Sequence, residues 1–160
     1  MIGGLLLMLA CSGSADDAAA VDTTAASNAA AQCDVCAMTV AEQPSPRAQV
    51  VYRDGARAHF CSLGELRAAL QAPSPHGSAV ATYVEALPAD FDPAANTAAP
   101  LPWIPAEDAW YVFGAERPLV MGLPVLSFAD EAAARESAQR LGREPVAWTT
   151  VRETPFNQTP

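Results

Sequence analysis

A sulfur-rich loop near the start of the chain carries the residues best suited to chemistry. Cys33, Cys36 and Met38 lie within the six-residue run Cys-Asp-Val-Cys-Ala-Met. Soft thiolate and thioether ligands suit Cu(I), whereas thioethers are not among the usual ligands of zinc. Because Cys36 and Met38 are two residues apart, an extended backbone places both side chains on the same side. The spacing therefore predicts a site for one Cu(I) ion per chain.

Three residues farther along the chain are additional candidate ligands. Met121 precedes a glycine, which permits a tight turn that presents the thioether, although core packing is the alternative for this residue. Cys61 precedes a predicted helix, whose dipole favours the thiolate that binds metals; a small buried residue is the alternative. His59 alternates with the apolar Phe60 along a predicted strand and completes the set of candidates.

Other chemistries fit the pattern less well. A structural zinc site needs four ligands, usually in two pairs, but Gly64 and Glu65 stand where a second pair with Cys61 would be completed. A thioredoxin-like redox site needs its C-x-x-C motif at the start of a helix that follows a strand, and the sequence around Cys33 and Cys36 does not predict that arrangement. The chain has neither a glycine-rich phosphate loop nor a Ser/His/Asp constellation, so we expect no enzymatic activity.

Length and charge limit the choice of partners. The chain has 160 residues, enough for one compact domain or two very small ones. Nine basic and eighteen acidic side chains give a net charge of −9. A nucleic-acid partner requires a basic face, so nucleic acid is not expected as a partner.

The N-terminal region predicts a lipid anchor. Residues 2–10 are apolar but too few to span a bilayer, which takes about 20 residues. This run resembles the hydrophobic part of a secretory signal and ends in Leu-Ala-Cys-Ser, which resembles a bacterial lipobox with Cys11 as the lipidated residue. Ser12 after this cysteine favours the outer membrane. The following residues, up to Gln32, lack periodicity and are predicted to be a flexible tether.

Lipidation of Cys11 leaves three other cysteines. An odd number in an oxidising compartment cannot be used up by a purely structural disulfide framework. Metal ligation or a reactive thiol is therefore indicated.

The remaining sequence predicts an α+β fold of two small ββαβ units that share an interface. In the first unit, residues 47–60 form a hairpin around an Asp-Gly turn, and Ser62 with Glu65 forms a capping box at the start of a helix. The second unit repeats this order and closes with a strand over residues 144–151. The predicted segments are a signal peptide (1–10), a tether (11–32), a first unit (33–87), a connecting loop (88–108), a second unit (109–152) and a C-terminal tail (153–160).

Several motifs together resemble a known family. The pattern Cys-x-x-Cys-x-Met-x-Val followed by Phe-Cys-Ser at residues 60–62 resembles metal-binding modules of the YHS/TRASH type, with Glu65 at the position of their usual fourth cysteine. With Tyr83-Val84, the run Trp-Ile-Pro-Ala-Glu-Asp-Ala-Trp-Tyr-Val at 103–112, Met121-Gly122 and Phe-Ala-Asp at 128–130, the chain resembles the NosL family of nitrous oxide reductase accessory proteins. The family commonly has Gly where Ala37 stands, and alanine fits there if it keeps a negative φ.

This resemblance implies a lipid-anchored periplasmic copper chaperone. It implies one bound Cu(I), delivery to assembling nitrous oxide reductase, and an ABC-type membrane machinery as partner. Two other hypotheses stay open at this point. One is a zinc-stabilised lipoprotein interaction module without catalytic activity, and the other is a thiol oxidoreductase that uses Cys33 or Cys36.

Overall fold

The computed structural model describes residues 20–95 and 98–160. The predicted signal peptide, Cys11 and the first part of the tether lie outside these described residues. Within them, no helix combines the length and the apolar character that crossing a membrane requires.

The first unit is built on the predicted hairpin. Tyr52 N–H donates to Ala56 O at 2.8 Å, and Gly55 takes the left-handed φ of +85° that this turn requires. The elements of this part are β1 (Ala48–Tyr52), β2 (Arg57–Phe60), α1 (Leu63–Gln71), β3 (Ala79–Glu85) and β4 (Trp103–Pro105). They form an antiparallel sheet in the order β2-β1-β3-β4.

The second unit repeats the topology of the first. Its elements are β5 (Trp110–Phe113), β6 (Val125–Phe128), α2 (Glu131–Leu141), β7 (Val146–Ala147) and a short helix α3 (Trp148–Glu153). Its sheet has the order β6-β5-β7, which matches β2-β1-β3 in the first unit. Asp130 accepts a hydrogen bond from Ala133 N–H at 2.8 Å and Gly142 ends α2 with a φ of +62°. The predicted α+β class with two ββαβ units is confirmed.

Two predicted elements differ from the structure. The closing strand expected over residues 144–151 has only two paired residues, and a helix begins at Trp148. Trp148 and Val151 are both buried, and their spacing of three places them on one face of that helix against the core. The connecting loop also contains a strand, because Trp103–Pro105 pairs with β3.

The end of the predicted tether is bound to the first sheet. The side-chain amide of the buried Gln49 accepts from Ala26 N–H at 2.8 Å and donates to Ala26 O at 2.9 Å, as a neighbouring backbone would. Arg57 donates to the carbonyls of Asp22 and Thr24, and Tyr83 donates to that of Thr23. This part of the chain therefore has partners on the sheet, which polar composition alone did not predict.

Both units contribute to one hydrophobic core. Phe60 and Leu66 of the first unit pack in the same cluster as Tyr111, Phe113 and Trp148 of the second. A second cluster fills the space between α2 and its sheet, and a third small cluster forms around Cys33 and Cys61. The shared core therefore holds the second unit against the helix that begins just after Cys61.

Candidate metal centre

Three thiols and one carboxylate converge at the start of α1. The ligand atoms of Cys33, Cys36, Cys61 and Glu65 all lie within 4.8 Å of one another. The Cys36 and Cys61 sulfurs are 3.5 Å apart, and all three cysteines are free thiols. The Cys61 thiol donates to Glu65 Oε2 at 2.7 Å, and the Cys33 sulfur lies 3.1 Å from the same oxygen. Donor atoms from the loop over residues 33–38 and from the start of α1 thus form one candidate metal site.

The loop over residues 33–38 is closed by its own backbone. Cys33 N–H donates to Met38 O at 2.8 Å, and Ala37 N–H donates to Cys33 O at 2.8 Å. This closure brings the sulfurs of Cys33 and Cys36 to the same side. It also requires a φ of +60° at Ala37, so the condition under which alanine would fit easily at this position, a negative φ, is not met. A left-handed conformation is unfavourable for alanine because its Cβ crowds the following carbonyl.

Strand β2 holds this loop beside Cys61. Asp34 N–H donates to His59 O at 2.9 Å, and the carboxylate of Asp34 accepts from His59 N–H at 2.7 Å. The imidazole of His59 is not a member of the donor group, among the residues that the structure describes. Its Nδ1 is buried without a hydrogen-bond partner, and burial lowers the pKa of His59. The backbone of His59, rather than its ring, therefore contributes to the site.

Glu65 is the donor that the sequence analysis did not select. Ser62 caps α1 as predicted, accepting from Glu65 N–H at 3.2 Å. The Glu65 side chain does not complete the predicted capping box, because its carboxylate accepts from the Cys61 thiol instead. Glu65 follows Cys61 by four positions, about one turn of a helix, so the two side chains lie next to each other. The available signal was its place at the usual fourth cysteine position of YHS/TRASH-type modules.

The thiols differ in how readily they ionise. The hydrogen bond from Cys61 lowers the pKa of Cys33 to about 6, with further help from nearby backbone amides and against the effect of burial. The same hydrogen bond, together with burial, raises the pKa of Cys61. Burial also raises the pKa of Cys36. Cys33 is therefore the thiol of the three that ionises most readily.

In the part of the chain that the structure describes, no basic side chain forms an ion pair with the carboxylate of Glu65. Glu65 is only 5% exposed, and its Oε1 is buried without a hydrogen-bond partner. Across residues 20–95 and 98–160, none of the ion pairs involves this carboxylate. A buried carboxylate is costly without a counter-charge. A bound cation would supply that charge and use the free oxygen, so the donor set fits a metal ion.

The two candidate methionines lie at different distances from this chemistry. Met38 packs against the small cluster formed by Cys33, Val40 and Cys61, and is thus close to the thiols. Met121 has a side chain that is 45% exposed and lines a pocket of about 460 Å³ together with Val35 and Glu65. Met121 therefore shares a pocket with Glu65 and is partly open to solvent.

A close backbone contact fixes the position of the Met121 loop. Ser62 Oγ donates to Met121 O at 2.6 Å. Gly64 packs against the same loop so tightly that a Cβ there would lie 2.8 Å from Leu123 O and 3.0 Å from Met121 O. The first turn of α1 thus joins the thiol cluster of the first unit to the Met121 loop of the second.

Comparisons with known proteins agree with this architecture. The family model NosL matches residues 24–154. Among solved structures, the crystal structure of the copper chaperone NosL from Shewanella denitrificans matches with a TM-score of 0.65 and 22% sequence identity. That match covers 79% of this chain and 94% of the other. No curated protein matches the chain. At this identity, the structural likeness establishes the fold.

Proposed function

The chain belongs to the NosL family, and from that membership we propose that it is a metallochaperone whose cargo is one Cu(I) ion. The observation that carries the proposal is the group of three thiols with an unbalanced carboxylate, all within 4.8 Å. A soft, monovalent ion suits a centre whose donors are mostly sulfur. The copper chaperone with the same fold supports this assignment. We propose no catalytic activity.

In this proposal the cysteines hold the ion and the methionines assist its exchange. Cys33 is the thiol that ionises most readily, with its pKa lowered to about 6, and binding of the ion displaces the remaining thiol protons of the cluster. Cys33 and Cys61 are each 3% exposed, whereas Cys36 is half-buried. Because Cys36 is more accessible than Cys33 and Cys61, it is the ligand that an incoming partner displaces. Met38 and Met121 then supply neutral donors that release the ion easily.

The central test is a Cu(I) competition titration on reduced protein. A chromophoric Cu(I) chelator should lose one equivalent of copper to each chain. Replacing Cys33, Cys36 or Cys61 by Ser should each weaken binding at least tenfold, because thiolates are the strongest donors present. Cys11→Ser is the matched control and should bind copper as the unaltered chain does. Equal affinities for all four variants would contradict the proposal.

The client and location are proposed from the family and from the sequence. We propose that the chain is anchored on the periplasmic side of the outer membrane through lipidated Cys11, and delivers copper to assembling nitrous oxide reductase together with an ABC-type machinery. In cells lacking the gene, the reductase should accumulate without its copper. The Cys11→Ser variant should leave the membrane fraction. A fully copper-loaded reductase in the deletion strain would contradict this delivery role.

A zinc-stabilised interaction module is the second candidate, and Glu65 specifically favours it. Three cysteines with one carboxylate make a four-donor set that zinc accepts, although the sequence alone showed only three donors. Metal analysis after purification without added metal distinguishes the two functions. Tightly bound zinc, with helicity lost on chelation, would favour the structural module over the copper chaperone.

A further inference from the structure

The C-terminal segment Thr154–Gln158, which we call the strap, forms part of the wall of the pocket that Glu65 also lines. Phe156 and Asn157 of the strap line this pocket together with Met121 and Val35. Phe156 is 49% exposed, so its ring stands at the edge of the pocket rather than in the core. The strap is thus next to the metal centre without contributing a donor to it.

Two side chains of α1 hold the strap in place. Arg67 Nη2 donates to the carbonyls of Thr154, Pro155 and Gln158 at 3.2, 2.8 and 2.9 Å. Gln71, one turn later, donates to Thr154 O at 2.9 Å and accepts from Phe156 N–H at 3.0 Å. The same helix therefore carries the donor Glu65 and the residues that hold the wall beside it.

Arg67 is a charged residue in a buried position of α1. It is 1% exposed, and no ion pair involves it in the part of the chain that the structure describes. Its guanidinium lies over the ring of Phe113 at 4.8 Å, and its Nε and Nη1 have no hydrogen-bond partner. The strap carbonyls are thus the polar groups that stabilise a buried cation, so the strap and Arg67 depend on each other.

Resting on the copper-chaperone function proposed above, we propose that the strap is a movable wall that sets the rate of metal exchange. Cys33, Cys61 and Glu65 are nearly inaccessible, and the pocket bounded by the strap is lined by Glu65 and by Val35, the chain neighbour of the half-buried Cys36. Held by Arg67 and Gln71, the strap narrows this opening and slows the approach of a competing ligand. Because it supplies no donor, it changes the rates of entry and exit together and leaves the equilibrium affinity unaltered.

The test uses Gln71→Ala in the full chain. Gln71 is exposed, so its loss should leave the fold intact while removing its hydrogen bonds to the strap. Each such bond is worth about a fivefold change in an equilibrium. Because Gln71 makes two such bonds to the strap, hydrogen exchange at the Phe156 amide should accelerate about 25-fold in the apo protein. Copper transfer to an excess of chelator should accelerate by a similar factor, with unchanged affinity. Gln158→Ala is the matched control, because its side chain makes no hydrogen bond within residues 20–95 and 98–160 and its carbonyl remains available to Arg67.

The two measurements separate this inference from the function on which it rests. Faster exchange at the Phe156 amide with unaltered copper transfer would overturn the inference and leave the chaperone function standing. A chain that binds no Cu(I) would overturn the proposed function, while hydrogen exchange would still report whether the strap opens. Phe156→Ala provides a second test, since removing the exposed ring should widen the opening and accelerate transfer without affecting the hydrogen bonds of the strap backbone. Unaltered transfer in that variant would also count against the inference.

Discussion

Replacing Gly64 by Ala should destabilise the protein, although alanine is the better helix former. Intrinsic helix propensity favours alanine over glycine by about 1 kcal/mol inside a helix. The added Cβ would lie 2.8 Å from Leu123 O, 3.0 Å from Leu123 N and 3.0 Å from Met121 O. These are backbone atoms, so the loop must shift as a whole, and inserting a methyl group into such a contact typically costs about 1–3 kcal/mol.

The shift should also remove a hydrogen bond. Ser62 Oγ donates to Met121 O at 2.6 Å, and losing such a bond costs about 1 kcal/mol. Together, the steric and hydrogen-bond losses exceed the propensity gain, and we expect a net loss of about 1–3 kcal/mol in the free energy of unfolding. Urea denaturation of the apo protein measures this quantity directly. Ala68→Gly on the same helix calibrates the propensity difference in the absence of the close contact.

Copper binding provides a second measurement on the same variant. If Met121 donates to the ion, Gly64→Ala should weaken Cu(I) binding by about as much as Met121→Ala, and the double variant should show no further loss. A Gly64→Ala protein that is as stable as the unaltered chain, or more stable, would refute the close contact between α1 and the loop. Unaltered copper affinity in both single variants would remove Met121 from the site.

Three further predictions concern other parts of the molecule. Ala37→Gly should stabilise the apo protein by about 0.5–1 kcal/mol in urea denaturation, because glycine accepts the φ of +60° at little cost; a loss of stability would contradict the loop geometry. Glu85→Ala should cost about 3–5 kcal/mol by the same method, because it leaves Arg47, buried and paired at 2.6 Å, without its partner; a change below 1 kcal/mol would count against that pair. Cu(I) affinity should fall as the pH is lowered, since protons compete for the thiolates. Chelator competition should show release of about two protons per ion at pH 7, rising toward three below pH 6 as Cys33 also becomes protonated, and a pH-independent affinity would exclude thiolate ligation.

Local chemistry in the sequence was enough to predict most of the elements. The Asp-Gly turn determines the first hairpin, and the side chains of Ser62 and Asp130 mark where α1 and α2 begin. Each of these signals acts between residues at most a few positions apart, which is why a single sequence reveals them.

Elements that depend on distant contacts were missed. Residues 148–153 carry a Thr-Thr-Val run that favours a strand, and they form a helix because Trp148 and Val151 pack together into the shared core. Proline-rich surroundings concealed the strand Trp103–Pro105, which is stabilised by pairing with β3. Tertiary packing thus outweighed local preference in both places.

The candidate site was predictable in its sulfur content but not in its completion. The spacing of Cys33 and Cys36 is visible in the sequence, whereas their meeting with Cys61 depends on the backbone pairing between Asp34 and His59. Glu65 becomes a candidate donor through contact with a cysteine 32 positions earlier. The contact between Glu65 and Cys33 has no local signature in the sequence, unlike the spacing of four between Cys61 and Glu65.

X-ray absorption at the copper edge tests the central claim most directly. On the chain loaded with one equivalent of Cu(I) under reducing conditions, the nearest shell of atoms should consist mainly of sulfur. The sulfur contribution should fall when Cys33, Cys36 or Cys61 is individually replaced by Ser. A shell of nitrogen and oxygen alone, or a sulfur shell that none of these three replacements alters, would contradict a Cu(I) centre built on the cysteine cluster.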